Sequence, residues 1–214
     1  MKKIRTGIIL AIGLGLSACA SVDTASRNIP LEAPQMLPAA PVVALADYNI
    51  KVSRSLRVSE ANMYYPMGDI VWRGDAMGDR HEQVARIFQD SLIQVQQQNQ
   101  QGALPVVVDI DLLRFHALTE KTRYTIGGVH SIAFNMTVRN PVTGEVIVPT
   151  YEVKADLRGY GGSKALAAEQ QGLTQKLRIT RHLANVITQE LAASGSAPKG
   201  VTELVAGLET AAQG

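Results

Sequence analysis

Ser131-Ile132-Ala133-Phe134-Asn135-Met136-Thr137-Val138-Arg139 places Ile132, Phe134, Met136 and Val138 on one parity and Ser131, Asn135, Thr137 and Arg139 on the other. A period of two is that of a strand with one buried face. Asn140-Pro141-Val142-Thr143-Gly144 supplies a turn, and Ile147, Tyr151, Val153, Ala155 and Leu157 return as the antiparallel partner. Upstream, Val106, Val108, Ile110 and Leu112 alternate with Asp109 and Asp111, and the parity then moves to Leu113 and Phe115, which predicts a β-bulge at Leu112-Leu113. These segments make a meander with one apolar face.

Such a face needs a cover. Asp79-Arg80-His81-Glu82 has the layout of a capping box, and behind it Val84, Ile87, Phe88, Ser91, Leu92 and Val95 recur at helical spacing. A second helix is expected from about Lys164 to Ala192, capped by Ser163, with Leu166, Leu173, Leu177, Thr180, Leu183, Ala184, Ile187 and Leu191 as its buried stripe. Two further strands are expected before the first helix. One opens at Tyr48-Ile50-Val52, bends near Arg54 and continues through Leu56 and Val58, and the other is Ile70-Val71-Trp72, with Trp72 in the core. The fold class is therefore α+β, a two-layer sandwich in which a mostly antiparallel sheet of about five strands carries two helices on one face. The domain is expected over residues 47–193, with a tail over 194–214.

The N-terminus has a different grammar. Lys2, Lys3 and Arg5 precede an apolar run from Ile8 to Leu16, which is too short to span a bilayer and has the layout of a signal peptide over residues 1–18. Leu16-Ser17-Ala18-Cys19 ends it on the single cysteine of the chain, the pattern at which bacterial lipoproteins are cleaved and acylated. Cys19 is thus the expected lipidation site, and residues 19–46, with Pro30, Pro34, Pro38 and Pro41, form a tether between lipid and domain. Ala20 and Ser21 lack the Asp associated with inner-membrane retention, so the expected location is the periplasmic face of a membrane, the outer in preference to the inner. Of the 21 basic residues three precede Cys19, leaving 18 against 19 acidic, a balance that speaks against a nucleic-acid partner. With its thiol committed to lipid, the exported part has no cysteine for disulfides or thiolate metal sites.

Motifs that carry chemistry are few. His116, Glu120 and His130 flank Gly127-Gly128 and could supply two imidazoles and a carboxylate to a metal, which is the alternative of a metal-dependent hydrolase. A polar hairpin end accounts for the same residues. His81-Glu82 lacks the second His of a zinc-protease helix, since Ala85 stands there. Gly161-Gly162-Ser163-Lys164 lacks the spacing of a nucleophile elbow. Asp69, Asp75 and Asp79 each follow a glycine without the spacing of a helix-loop-helix calcium site, and are expected in turns and caps. No catalytic residue, metal or cofactor is predicted. Core packing does not explain Tyr64, Tyr65, Glu120, Arg123 and Tyr124, polar and aromatic residues in loops, and these are the expected partner or ligand contacts.

The Cys19 site, the Pro-rich tether, Leu56-Arg57-Val58, Ile70-Val71-Trp72-Arg73, the amphipathic helix, Arg114-Phe115, the hairpin and the C-terminal helix together resemble the auxiliary lipoproteins of ABC-type lipid-transport systems. The likeness covers about Tyr48 to Leu191. Val58 to Asn62 with Tyr64-Tyr65-Pro66, and Thr119-Glu120-Lys121 with Arg123-Tyr124, look instead like hallmarks of a separate lipoprotein family. The resemblance implies a non-catalytic accessory or binding component, anchored through Cys19, that contacts an envelope transport protein or lipid. A purely structural cell-envelope lipoprotein is the other alternative.

Overall fold

The computed structural model describes residues 43–98 and 104–195. The expectations for the signal peptide, Cys19, most of the tether and the tail beyond 195 lie outside the described residues. In chain order the elements are β1 (Val43–Lys51), β2 (Ile70–Val71), α1 (Arg80–Gln98), β3 (Leu104–His116), α2 (Glu120–Arg123), β4 (Gly128–Arg139), β5 (Val146–Lys154), β6 (Leu157–Gly159), α3 (Gly162–Gln170) and α4 (Gln175–Gly195). They form an α+β two-layer sandwich with a mostly antiparallel sheet in the order β1-β3-β4-β5.

Both edges of the sheet are split. β1 pairs in parallel with β3 from Leu104 to Asp111, and β2 takes up the same edge at Phe115 and His116. Between them residues 52–69 leave the β3 edge, meeting the sheet again at Val58, which bridges Ile70. On the other edge β5 follows β4 from Ala133 to Arg139, and β6 follows it from Gly128 to His130. At the break Ala155 still donates its N–H to the Ile132 carbonyl at 2.8 Å, while the Asp156 carboxylate accepts the Ile132 N–H at 3.1 Å.

The apolar parities of β3 and β4 meet α1 and α4 in one core. Every expected position of the α1 face, Val84, Ile87, Phe88, Ser91, Leu92 and Val95, is fully buried. Asp79 caps this helix, its carboxylate accepting the Glu82 N–H at 3.2 Å. Four aromatics fill the centre edge-on: Trp72 and Phe115 stand 5.8 Å apart at 84°, Phe88 and Phe134 5.3 Å apart at 82°. Such pairs add about 1 kcal/mol each beyond burial. The opposite face is polar. Lys51 pairs with Asp111 at 2.8 Å, Asn49 donates to Asp109 at 2.8 Å, and Arg139 closes on Asp109 from the neighbouring strand.

Several expectations are corrected. The first strand begins at Val43, ahead of Tyr48 and of the domain start at 47, because Val43 and Leu45 are buried and paired with Leu104 and Val106. Leu56 and Val58 do not prolong it: residues 54–56 form a turn, and Val58 makes one bridge to Ile70. The bulge lies where expected, but Leu113 is the residue pushed outward, at 38% exposure.

The C-terminal helix is two helices. Gly172, at φ +75°, donates to the Glu169 carbonyl at 2.9 Å and Leu173 to Ala168 at 2.8 Å, a Schellman closure of α3. Thr174 then caps α4 by accepting the Leu177 N–H at 3.2 Å. Leu166 is half exposed while Ala165 and Ala168 are buried, and Ser163 lies inside α3, whose N-cap is Gly161. α4 runs to Gly195, two residues past the expected domain end.

Candidate functional site

The bulge in β3 turns Arg114 and His116 away from the helices, opposite Ala133 and Ser131 of β4. They form the floor of a cleft of about 280 Å³ at one end of the uncovered face, with Ser131 and Val129 beside them. Tyr64-Tyr65-Pro66 make one wall and Ile126-Gly127-Gly128, behind α2, the other. The apolar groups stay in solvent: Tyr65 is 85% exposed, Ile126 69% and Val129 54%.

Local chemistry holds these walls. Thr119 caps α2 by accepting the Thr122 N–H, and its hydroxyl donates to the Met63 carbonyl at 2.9 Å. The Lys121 N–H donates to the Asn62 side chain at 2.8 Å, and the Lys121 ammonium lies 4.8 Å over the Tyr64 ring. His116 fixes the floor. Its Nε2–H donates to the Gly68 carbonyl at 2.7 Å, which leaves Nδ1 to accept from Arg114 Nη2 at 2.8 Å. Burial lowers the His116 pKa, the Gly68 carbonyl opposes this, and the Arg114 charge adds to the lowering, so the ring is neutral at pH 7. Among the described residues Arg114 is the single charged side chain in the lining, and no carboxylate is among them.

Of the five expected contacts, Tyr64 and Tyr65 line the cleft. Glu120 does not, because Arg73 takes it. The same guanidinium donates to the Glu60 carbonyl at 2.6 Å, and the Glu60 carboxylate accepts from buried Arg80 at 2.7 Å. Partial burial pushes the Glu120 carboxyl up, but the Arg73 hydrogen bond and the Arg73 and Arg123 charges outweigh it and hold it below its ordinary value. Arg123 and Tyr124 turn toward α3: Arg123 pairs with Glu169 at 3.2 Å and donates to Tyr124 Oη at 2.9 Å, and that hydroxyl donates to Glu169 at 3.2 Å. Arg114, Ile126 and Val129 were not among the expected contacts. Val129 carried a signal, since its parity in the alternating strand is that of the polar face.

The metal set His116, Glu120 and His130 is not assembled. His116 pairs with Ser131 on the open face, so the neighbouring His130 projects to the other side of the sheet. There it is buried, and its Nδ1 accepts the Leu118 N–H at 3.2 Å. Among the described residues no three His, Cys, Asp or Glu side chains stand together as metal ligands. His81 Nε2 bonds the Leu56 carbonyl at 3.0 Å. Asp69 accepts the Arg57 N–H at 2.8 Å, and Asp75 accepts from Trp72 at 2.9 Å and from Lys176 at 3.0 Å.

Fold and cleft define a small α+β domain with a concave surface at one end of its uncovered sheet face. The chain belongs to the family of unknown function DUF6778, whose model matches residues 43–207. Solved structures with similarity to it include a candidate lipoprotein from Caulobacter crescentus CB15, at 14% identity and TM-score 0.33 over 53% of this chain and 84% of that one. Another is a Xanthomonas campestris protein of family DUF330, at 14% identity and TM-score 0.41 over 75% and 91%. No curated protein matches this chain. Among the described residues no helix is long and apolar enough to cross a membrane.

Proposed function

We propose that this protein is a lipoprotein held on the periplasmic side of the envelope by acylated Cys19, and that it works as a non-catalytic accessory component in envelope or lipid transport, by contact with a partner. The observation that carries this reading is the cleft itself. Tyr64, Tyr65, Ile126 and Val129 form an exposed apolar group on a face that elsewhere carries the Lys51–Asp111 and Arg139–Asp109 ion pairs. Aromatic and apolar side chains gathered in a concavity are the composition of a contact surface. Cys19 with its preceding signal layout supports the anchor, and two acyl chains suffice for stable attachment.

Two measurements on the full chain in its own envelope test the proposal. Cys19→Ser is expected to move the protein from the membrane to the soluble fraction, and retention on the membrane would remove the anchor from the reading. A photo-crosslinking amino acid at Tyr65 is expected to give a discrete adduct, whereas the same group at Glu152, exposed on the far part of the same face, gives none. Equal labelling at both positions would show that the cleft is not the contact surface.

A further inference from the structure

The cleft's lining carries more information than its shape. Its walls are apolar and aromatic, while its floor holds Arg114, neutral His116 and Ser131. An acyl chain laid on that floor would strip water from a guanidinium and a hydroxyl and give nothing back. The guanidinium is also aimed. His116, pinned by the Gly68 carbonyl, uses Arg114 Nη2, and the Arg114 Nε and Nη1 donors have no partner among the described residues. Carboxylates near this floor are already engaged: Asp69 with Arg57, Glu120 with Arg73. Lys121, on the rim over Tyr64, adds a second positive charge.

The chain enters the domain at Val43, opposite Leu104, whereas the cleft lies at His116, the other end of a thirteen-residue strand. At about 3.3 Å per residue the two are roughly 40 Å apart. The functional reading on which this inference rests is that the cleft is the contact surface of the accessory component.

We propose that the cleft docks a segment of a partner protein that presents an apolar side chain next to a carboxylate, the carboxylate received by Arg114 and the apolar group by Tyr64, Tyr65, Ile126 and Val129. Arg is suited to this part because its fork meets a carboxylate with two parallel N–H bonds. His116 is a positioning residue here, acting through Arg114.

The test uses the mature chain, immobilised in detergent, as target for a displayed library of random peptides. Enriched peptides are expected to carry Asp or Glu within two positions of an aromatic or aliphatic residue. Tyr65→Ala should lower their binding at least tenfold, and Arg114→Gln should do the same. Arg114→Glu should lower it further and turn a fresh selection toward Lys and Arg. Arg114 and Tyr65 are exposed, so these variants keep the fold, which circular dichroism checks. Selection without acidic bias, or unchanged binding by Arg114→Glu, overturns the proposal. So does native mass spectrometry that finds one further lipid beyond the anchor, bound to the wild type and lost in Arg114→Glu. A Tyr65 adduct in the envelope alongside an unbiased selection would sink this chemistry and leave the accessory role standing, whereas retention of Cys19→Ser on the membrane together with an acid-biased selection would sink the anchoring and leave the chemistry.

Discussion

Inside the sandwich the His130 ring accepts the Leu118 amide, and burial, with the Arg178 and Arg123 charges, carries its pKa down to about 3. In the unfolded chain the same ring titrates near 6.5. Above that pH both states are neutral and the group contributes no pH dependence. Below it the unfolded state binds a proton that the folded state refuses, so stability falls by about 1.4 kcal/mol per pH unit until the folded pKa is reached. Between pH 7 and 5 urea denaturation is expected to show a loss of about 2 kcal/mol from this residue. His130→Leu should start less stable, since the Leu118 N–H loses its acceptor, but its curve over that window should be flatter; an unchanged slope would assign the acid sensitivity elsewhere. A second expectation concerns two glycines. A Cβ on Gly161 would lie 2.3 Å from the Gly127 nitrogen, and one on Gly127 2.8 Å from the Gly161 nitrogen, so the turn before β4 and the start of α3 touch backbone to backbone. Gly161→Ala should cost about 2–4 kcal/mol in urea titrations. Gly144→Ala, with φ +72° but open space around it, should cost about 1.

The excursion 52–69, which brings Tyr64 and Tyr65 to the cleft, is held by backbone hydrogen bonds of Arg57 and Ser59 to Asp69 and Ile70 and by a charged clamp at Glu60. Arg80, 5% exposed at the start of α1, donates to Glu60 and to the Asp75 and Ala76 carbonyls. Glu60→Gln is expected to cost about 1–2 kcal/mol, less than a fully buried pair because the carboxylate is partly exposed. Hydrogen exchange should then quicken over residues 57–69 while α4 keeps its protection; uniform acceleration would mean the clamp serves the whole core. This segment also shows where sequence reasoning stopped. The buried face of α1, the alternation of β4 and the bulge in β3 were legible because each is a local periodicity set by one neighbour surface. The parallel pairing of β1 and β2 with β3 was not, since a period of two names no partner strand. Gly172-Leu173-Thr174 did carry a stop and a start, but Leu166 and Leu173 sit seven apart and mimic one continuous helical stripe across the break. Tyr64 and Tyr65 stood out as aromatics without a core. Arg114 and His116 could be paired only once the bulge had turned both to the open face.

At the level of the domain, Val43 at the start of β1 and the cleft at His116 lie at opposite ends of the sheet, and for a chain tethered at Cys19 as proposed, reach should matter where fold does not. Deleting twelve residues from 20–42 is expected to leave thermal unfolding unchanged while lowering the Tyr65 adduct in the envelope several-fold. An unchanged adduct would show that tether length does not limit the contact. The same geometry sets how the domain meets a pull. A load entering at Val43 and leaving through whatever sits at His116 runs along β1 and β3, which lie parallel with their register unbroken but for one shift near Ala46. The hydrogen bonds between them are then strained side by side, in shear, and must give way together instead of opening one after another from an end. A domain strung between a membrane and a partner would in this way behave as a mechanical link, stiffest in the direction in which it is stretched.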